Sequence, residues 1–187
     1  MAARVETTGI VGLHGEKSFP VLSNAQLEAQ FRNKRIYKDT EYVDIIPENR
    51  VPKGTILFGV GWSENPTCLK PVIFELVKLG YRVLSLSHSR EEDKKLKKSQ
   101  YNKFEERKAR SLLNVAEASG TEGLLLVARS EGGINGVMAA HIAISTKPEL
   151  FQDIVLESSA GLHGNIGFWE MFRRFRRQIK QSSMKAV

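Results

Sequence analysis

A single cysteine, Cys68, stands among 187 residues. No internal disulfide can form, and a reducing compartment is the expected setting. No apolar stretch approaches the roughly 20 residues that cross a bilayer; the best are short runs such as residues 55–60. The N-terminus, Met-Ala-Ala-Arg-Val-Glu-Thr-Thr, lacks the apolar core of a secretory signal, so a cytoplasmic protein is expected. Internal repeats are missing. No grouping of His, Cys, Asp and Glu has metal-ligand spacing, so no metal is expected. Neither the segment from Gly9 to Gly15 nor Gly132-Gly133-Ile134-Asn135-Gly136 has the spacing of a phosphate cradle, and no cofactor is expected.

What remains is an ordinary globular composition, 41% hydrophobic and 26% charged, of a length that suits one domain. The formal net charge of +7 is unevenly placed. Between Phe172 and Lys185 stand Arg173, Arg174, Arg176, Arg177, Lys180 and Lys185 with no acid among them. The body of the chain is therefore nearly neutral, which argues against a nucleic-acid surface spread over the fold. The charged stretch from Glu91 to Arg110 mixes both signs and reads as a solvated helix face.

The rhythm along the chain predicts the architecture. Residues 1–40 form an N-terminal segment without a clear pattern, apart from a short strand at 10–13 and a helix beginning at Ser23 or Asn24. Residues 41–46 predict a strand, ended by the turn formers of 47–54. Thr55-Ile56-Leu57-Phe58-Gly59-Val60 is continuously apolar, as in a strand buried on both faces of a parallel sheet. A helix carrying Leu69, Val72, Ile73, Leu76 and Val77 follows, stopped by Gly80. Strands are expected at 81–86, 123–128 and 153–157, with helices from about Lys97 to Ser119 and from Ile134 to Ile144. This is an α/β chain with a mostly parallel sheet flanked by helices. The core is expected over 41–162, and residues 163–187 begin a further helical element.

One segment carries chemistry. Ala128-Arg129-Ser130-Glu131-Gly132-Gly133 lies between the strand at 123–128 and its following helix. A serine at such a turn needs a strained backbone to lift its hydroxyl off the sheet edge, and small neighbours two residues to either side. Ala128 and Gly132 supply them, and Gly133 relieves the next contact. The helix N-terminus adds N–H groups and a positive dipole end. The same residues also fit a plain tight turn whose serine caps the helix.

From about Tyr42 to about Arg177 the chain resembles the α/β-hydrolase family. The resemblance implies that Ser130 is a nucleophile and that the backbone N–H groups of Trp62 and Glu131 hold an oxyanion. Gly59-Val60-Gly61-Trp62-Ser63-Glu64-Asn65 is the segment similar to the family's oxyanion loop, with Val60 where a histidine often stands. Ser87 and His88 depart from the family's aspartate-and-glycine loop. A serine at the elbow argues against the haloalkane dehalogenase and epoxide hydrolase branches, which use aspartate there. Esterase, lipase, amidase, peptidase and carbon–carbon hydrolase branches stay open. A small-molecule acyl substrate is expected.

The family's order is serine, acid, histidine, with the last two beyond the cap. None of His14, His88, His141 and His163 matches the family's base. His163 reads as a solvated loop residue, and His141 lies about three turns along the helix from Ser130. Glu157 is the candidate acid, against the reading of a strand-end carboxylate. The expectation is therefore the front portion of a longer enzyme, whose absent strands would leave an apolar sheet edge exposed. Phe168, Trp169, Met171, Phe172 and Phe175 interleave with Arg173 to Arg177. That pattern reads as a cap helix laid over the site, with contact to a membrane surface as the alternative. Against the enzyme stands a non-catalytic, hydrolase-like binding module.

Overall fold

The computed structural model describes residues 22–48, 51–61, 64–88 and 101–157, with Tyr101 and Asn102 by backbone alone. The strand at 10–13, Trp62, the loop after residue 88, His14, His163 and the aromatic-basic segment Phe168 to Arg177 lie outside the described residues.

The first helix, α1 (Asn24–Arg32), opens on a capping box. The Ser23 hydroxyl accepts the Gln26 N–H at 3.3 Å, and the Gln26 side chain accepts the Ser23 N–H at 2.9 Å. Two strands follow, β1 (Arg35–Tyr37) and β2 (Thr40–Ile45), paired antiparallel. Lys38 and Asp39 join them, with φ of +45° and +65°. Two left-handed residues in a two-residue loop match the twist of a hairpin, a role that Asn-Gly usually fills. β1 is one strand more than the periodicity predicts, because three residues carry no alternation to read.

Alternation of strand and helix then runs as expected: β3 (Thr55–Gly59), α2 (Pro66–Lys78), β4 (Arg82–Leu86), α3 (Tyr101–Ser119), β5 (Leu124–Arg129), α4 (Gly132–Thr146) and β6 (Phe151–Glu157). The Asn65 side chain accepts the Thr67 N–H at 2.9 Å and Pro66 takes the first helical position, so α2 starts where the sequence asks. Gly80, at φ +98°, lets the chain leave α2 for β4. The six strands lie in the order β1-β2-β4-β3-β5-β6. β4, β3, β5 and β6 are mutually parallel, and β2 joins β4 antiparallel.

Both faces of the sheet are covered. On one, Leu27 and Phe31 of α1 and Ile73 and Val77 of α2 pack on Ile45, Ile56, Phe58 and Val83. On the other, Leu112 and Val115 of α3 and Ala139 and Ala143 of α4 pack on Leu57, Leu84 and Leu126. Hence β3 is buried throughout and reads as a continuous apolar run. β6 differs: Ile154 and Val155 are 38% and 47% exposed, and among the described residues no strand pairs with its outer edge.

Candidate functional site

The turn from β5 into α4 is held in an unusual conformation. Ser130 has φ +54°, which for a residue with a Cβ costs on the order of 1–2 kcal/mol. Hydrogen bonds on both sides hold it there. The Ser130 N–H donates to the Glu157 carbonyl at 3.0 Å, and the Gly133 N–H donates to the Ser130 carbonyl at 3.0 Å. Glu131, with helical φ and ψ, is the residue from which α4 starts, and its side chain makes no cap bond. Ser130 is thus not the helix-capping residue; it stands one position earlier, exposed at the C-terminal edge of the sheet.

Close approach explains the small residues. A Cβ on Gly132 would stand 2.4 Å from the Gly59 carbonyl oxygen and 2.7 Å from that of Val60. One helical turn on, a Cβ on Gly136 would stand 2.8 Å from the Cβ of Ala128. A Cβ on Gly61 would meet both Ser130 Cβ and Glu64 Oε2 at 2.9 Å. Ala128 and Gly132 were expected from the sequence; Gly136 and Gly61 were not. The signal for Gly136 was present, since Ala128, Gly132 and Gly136 recur every four residues.

Charged side chains surround the serine. Glu64 Oε2 accepts the Gly61 N–H at 2.9 Å. The Arg129 guanidinium lies between two carboxylates, 3.7 Å from Glu64 Oε1 and 3.8 Å from Glu157 Oε1. Beneath the turn, Lys108 of α3 pairs with Glu131 Oε1 at 3.1 Å and stacks its ammonium 3.8 Å from the centre of the Phe104 ring. The Lys108 side chain is only 3% exposed. Glu64 and Lys108 escaped the sequence reading because nothing in local spacing marks a long-range ion pair.

The two described histidines, His88 and His141, are not placed against Ser130. His141 is exposed, on α4. His88 follows β4, two strands away from β5. Phe58 is in register with Ser85 on one side and Val127 on the other, so His88 and Ser130 follow three residues later on strands separated by about 9–10 Å. Burial, then the charges of Lys108 and Arg107, pushes His88 down to about 3. Among the described residues, Ser130 Oγ has no hydrogen-bond partner, and no group of three His, Cys, Asp or Glu is placed to hold a metal. No described helix is long and apolar enough to cross a membrane.

Sheet order, crossover helices and the strained serine turn together define the α/β-hydrolase fold. Solved structures agree on that fold. A probable hydrolytic enzyme from Pseudomonas aeruginosa PAO1 superposes with a TM-score of 0.50 at 18% identity, over 69% of this chain and 41% of its own. A variant of an epoxide hydrolase from Vigna radiata gives 0.51 at 16%, over 76% of this chain and 43% of its own. The chain thus spans less than half the length of these enzymes. No protein-family model and no curated protein matches it.

Proposed function

We propose that the chain carries the nucleophile of a serine hydrolase acting on an ester or related acyl substrate. One observation supports this reading above the rest: Ser130 keeps a left-handed backbone at a strand-to-helix turn against which Gly61, Gly132 and Gly136 leave no room for side chains. That strain lifts a hydroxyl beside a helix N-terminus, as acyl transfer requires. Ser130 Oγ attacks the carbonyl, and the N–H groups of Glu131 and Trp62 receive the oxyanion. The proton of Ser130 passes to a histidine outside the described residues, with Glu157 as the candidate acid that orients it. A fluorophosphonate should label the protein on Ser130, and Ser130→Ala should abolish the label. Labelling that survives the substitution overturns the assignment.

A second reading, a hydrolase-like binding module without catalysis, is favoured by the carboxylate of Glu64 bound to the Gly61 N–H beside Ser130. A negative charge there opposes an oxyanion. This reading predicts no labelling, together with salt-sensitive binding to anionic liposomes that weakens when Arg173, Arg174, Arg176 and Arg177 are replaced by alanine.

A further inference from the structure

A cavity of about 260 Å³ opens between the start of β2, the end of β4 and α3, on the same sheet edge as Ser130 and two strands across from it. Its lining includes Thr40, Ser87, His88, Arg107, Lys108 and Ser111. Three features of this lining suit an occupant of one kind. His88 Nε2 is buried and, among the described residues, has no hydrogen-bond partner, a loss that a ligand able to accept from it makes good. Lys108 carries a nearly buried ammonium to the same place, and Arg107 stands next to it in sequence and in the wall. Hydroxyl groups of Thr40 and Ser87 add donors, whereas that of Ser111 already donates to the Arg107 carbonyl at 3.2 Å. The carboxylates facing the cavity are Asp39 and Glu41, both exposed on the hairpin, and Glu41 is already paired with Lys34 at 2.6 Å.

We propose that this cavity binds a small oxyanion group, a sulfate, phosphate or carboxylate, between Lys108, Arg107 and His88. The volume lies just below the roughly 300–1,000 Å³ of sites for drug-sized ligands, which suits a small occupant. The C-terminal end of a parallel strand is where open α/β sheets place their ligands. Binding is linked to a proton. The empty site keeps His88 neutral, through burial and the two neighbouring cations. An anion offsets those cations, so the imidazole gains a proton and donates Nε2–H to the ligand. Glu131, 3.1 Å from the Lys108 ammonium, stays paired with it. The proposal stands whether or not Ser130 is a nucleophile.

The test is a sulfate titration of the full chain, followed through its histidine ring signals by NMR, with His88 assigned by the signal lost in His88→Gln. The expected result is a saturable change at His88 and not at His141, with the His88 titration midpoint moved upward. Lys108→Met should weaken sulfate binding by about tenfold or more, and Lys108→Arg should retain it. If Lys108→Met does not fold, Ser87→Ala serves, and should weaken binding severalfold. A His88 signal that ignores sulfate, or responds equally in the variants, overturns the site. Phenyl sulfate separates the two sources of the anion. Tighter binding than sulfate assigns it to the end of a larger molecule, and equal or weaker binding assigns it to a free ion.

Discussion

Gly132, the first residue of α4, lies against Gly59, the last of β3, so closely that a Cβ would enter the Gly59 carbonyl oxygen at 2.4 Å. The neighbour is backbone and cannot rotate away. Gly132→Ala should therefore push α4 off the sheet, at a cost of about 3 kcal/mol or more in chemical denaturation. Gly54→Ala is the control: its nearest neighbours are Tyr81 ring carbons at 3.8 Å, ordinary contact, and its stability should change by under about 1 kcal/mol. Equal effects would show that the tight approach is not what selects glycine at 132.

Ser130 presents the opposite case, a side chain where the backbone favours none. Its φ of +54° means that Ser130→Gly should stabilise the protein, by about 1 kcal/mol, while Ser130→Ala keeps the strain and changes stability little. Both substitutions remove the hydroxyl. A serine that is worse than glycine for the fold is retained for something else, so this comparison tests the strained turn without any substrate. Were Ser130→Gly to destabilise, the turn would not be strained as described.

The elements that sequence reading located are those whose signal is local. β3 showed itself as an apolar run because α1 and α2 cover one face and α3 and α4 the other; α1 and α2 began at Ser23 and Asn65, whose side chains cap them. The serine turn was legible because Ala128, Ser130, Gly132 and Gly133 stand within six residues, whereas Gly61, which also faces it, is remote in sequence. The β1–β2 hairpin was not, since Lys38 and Asp39 adopt left-handed conformations without the usual Asn-Gly. Glu64, Lys108 and Asp44 were equally hidden, because their partners are remote in sequence: Lys108 meets Glu131, and Asp44 meets Arg82.

That last pair ties three elements together. Arg82 donates to Asp44 through Nε at 2.9 Å and Nη2 at 2.8 Å, and its Nη1 reaches the Ser119 carbonyl at the end of α3 at 2.8 Å. Arg35 of β1 adds a third contact to Asp44 at 2.9 Å. The Asp44 side chain is fully buried, whereas that of Arg35 is 47% exposed. Asp44→Ala should cost about 3–5 kcal/mol, since it leaves the Arg82 guanidinium without its carboxylate. Arg35→Ala should cost under about 1 kcal/mol. Urea midpoints of the two variants decide this, and a similar loss in both would mean that burial does not set the strength of the pair.

His88 makes stability depend on pH with a definite sign. The folded protein keeps it neutral down to about 3, whereas the unfolded chain takes up a proton near the ordinary 6.5. The unfolded state therefore binds more protons between those values, and stability falls as pH drops through that window by about 1.4 kcal/mol per unit. From about pH 7 to 5 the loss from this one group is about 2 kcal/mol. Glu117 also loses a contribution in acid, because its bond to Lys38 holds it below the usual carboxylate range. That loss belongs to lower pH, so the interval from about pH 7 to 5 reports chiefly on His88. His88→Gln, which has no proton to gain, should flatten the dependence over this interval. Denaturant titrations of both proteins at the two pH values measure it. Parallel slopes would show that the imidazole is already charged in the folded protein, and a cavity that tolerates that charge needs no anion.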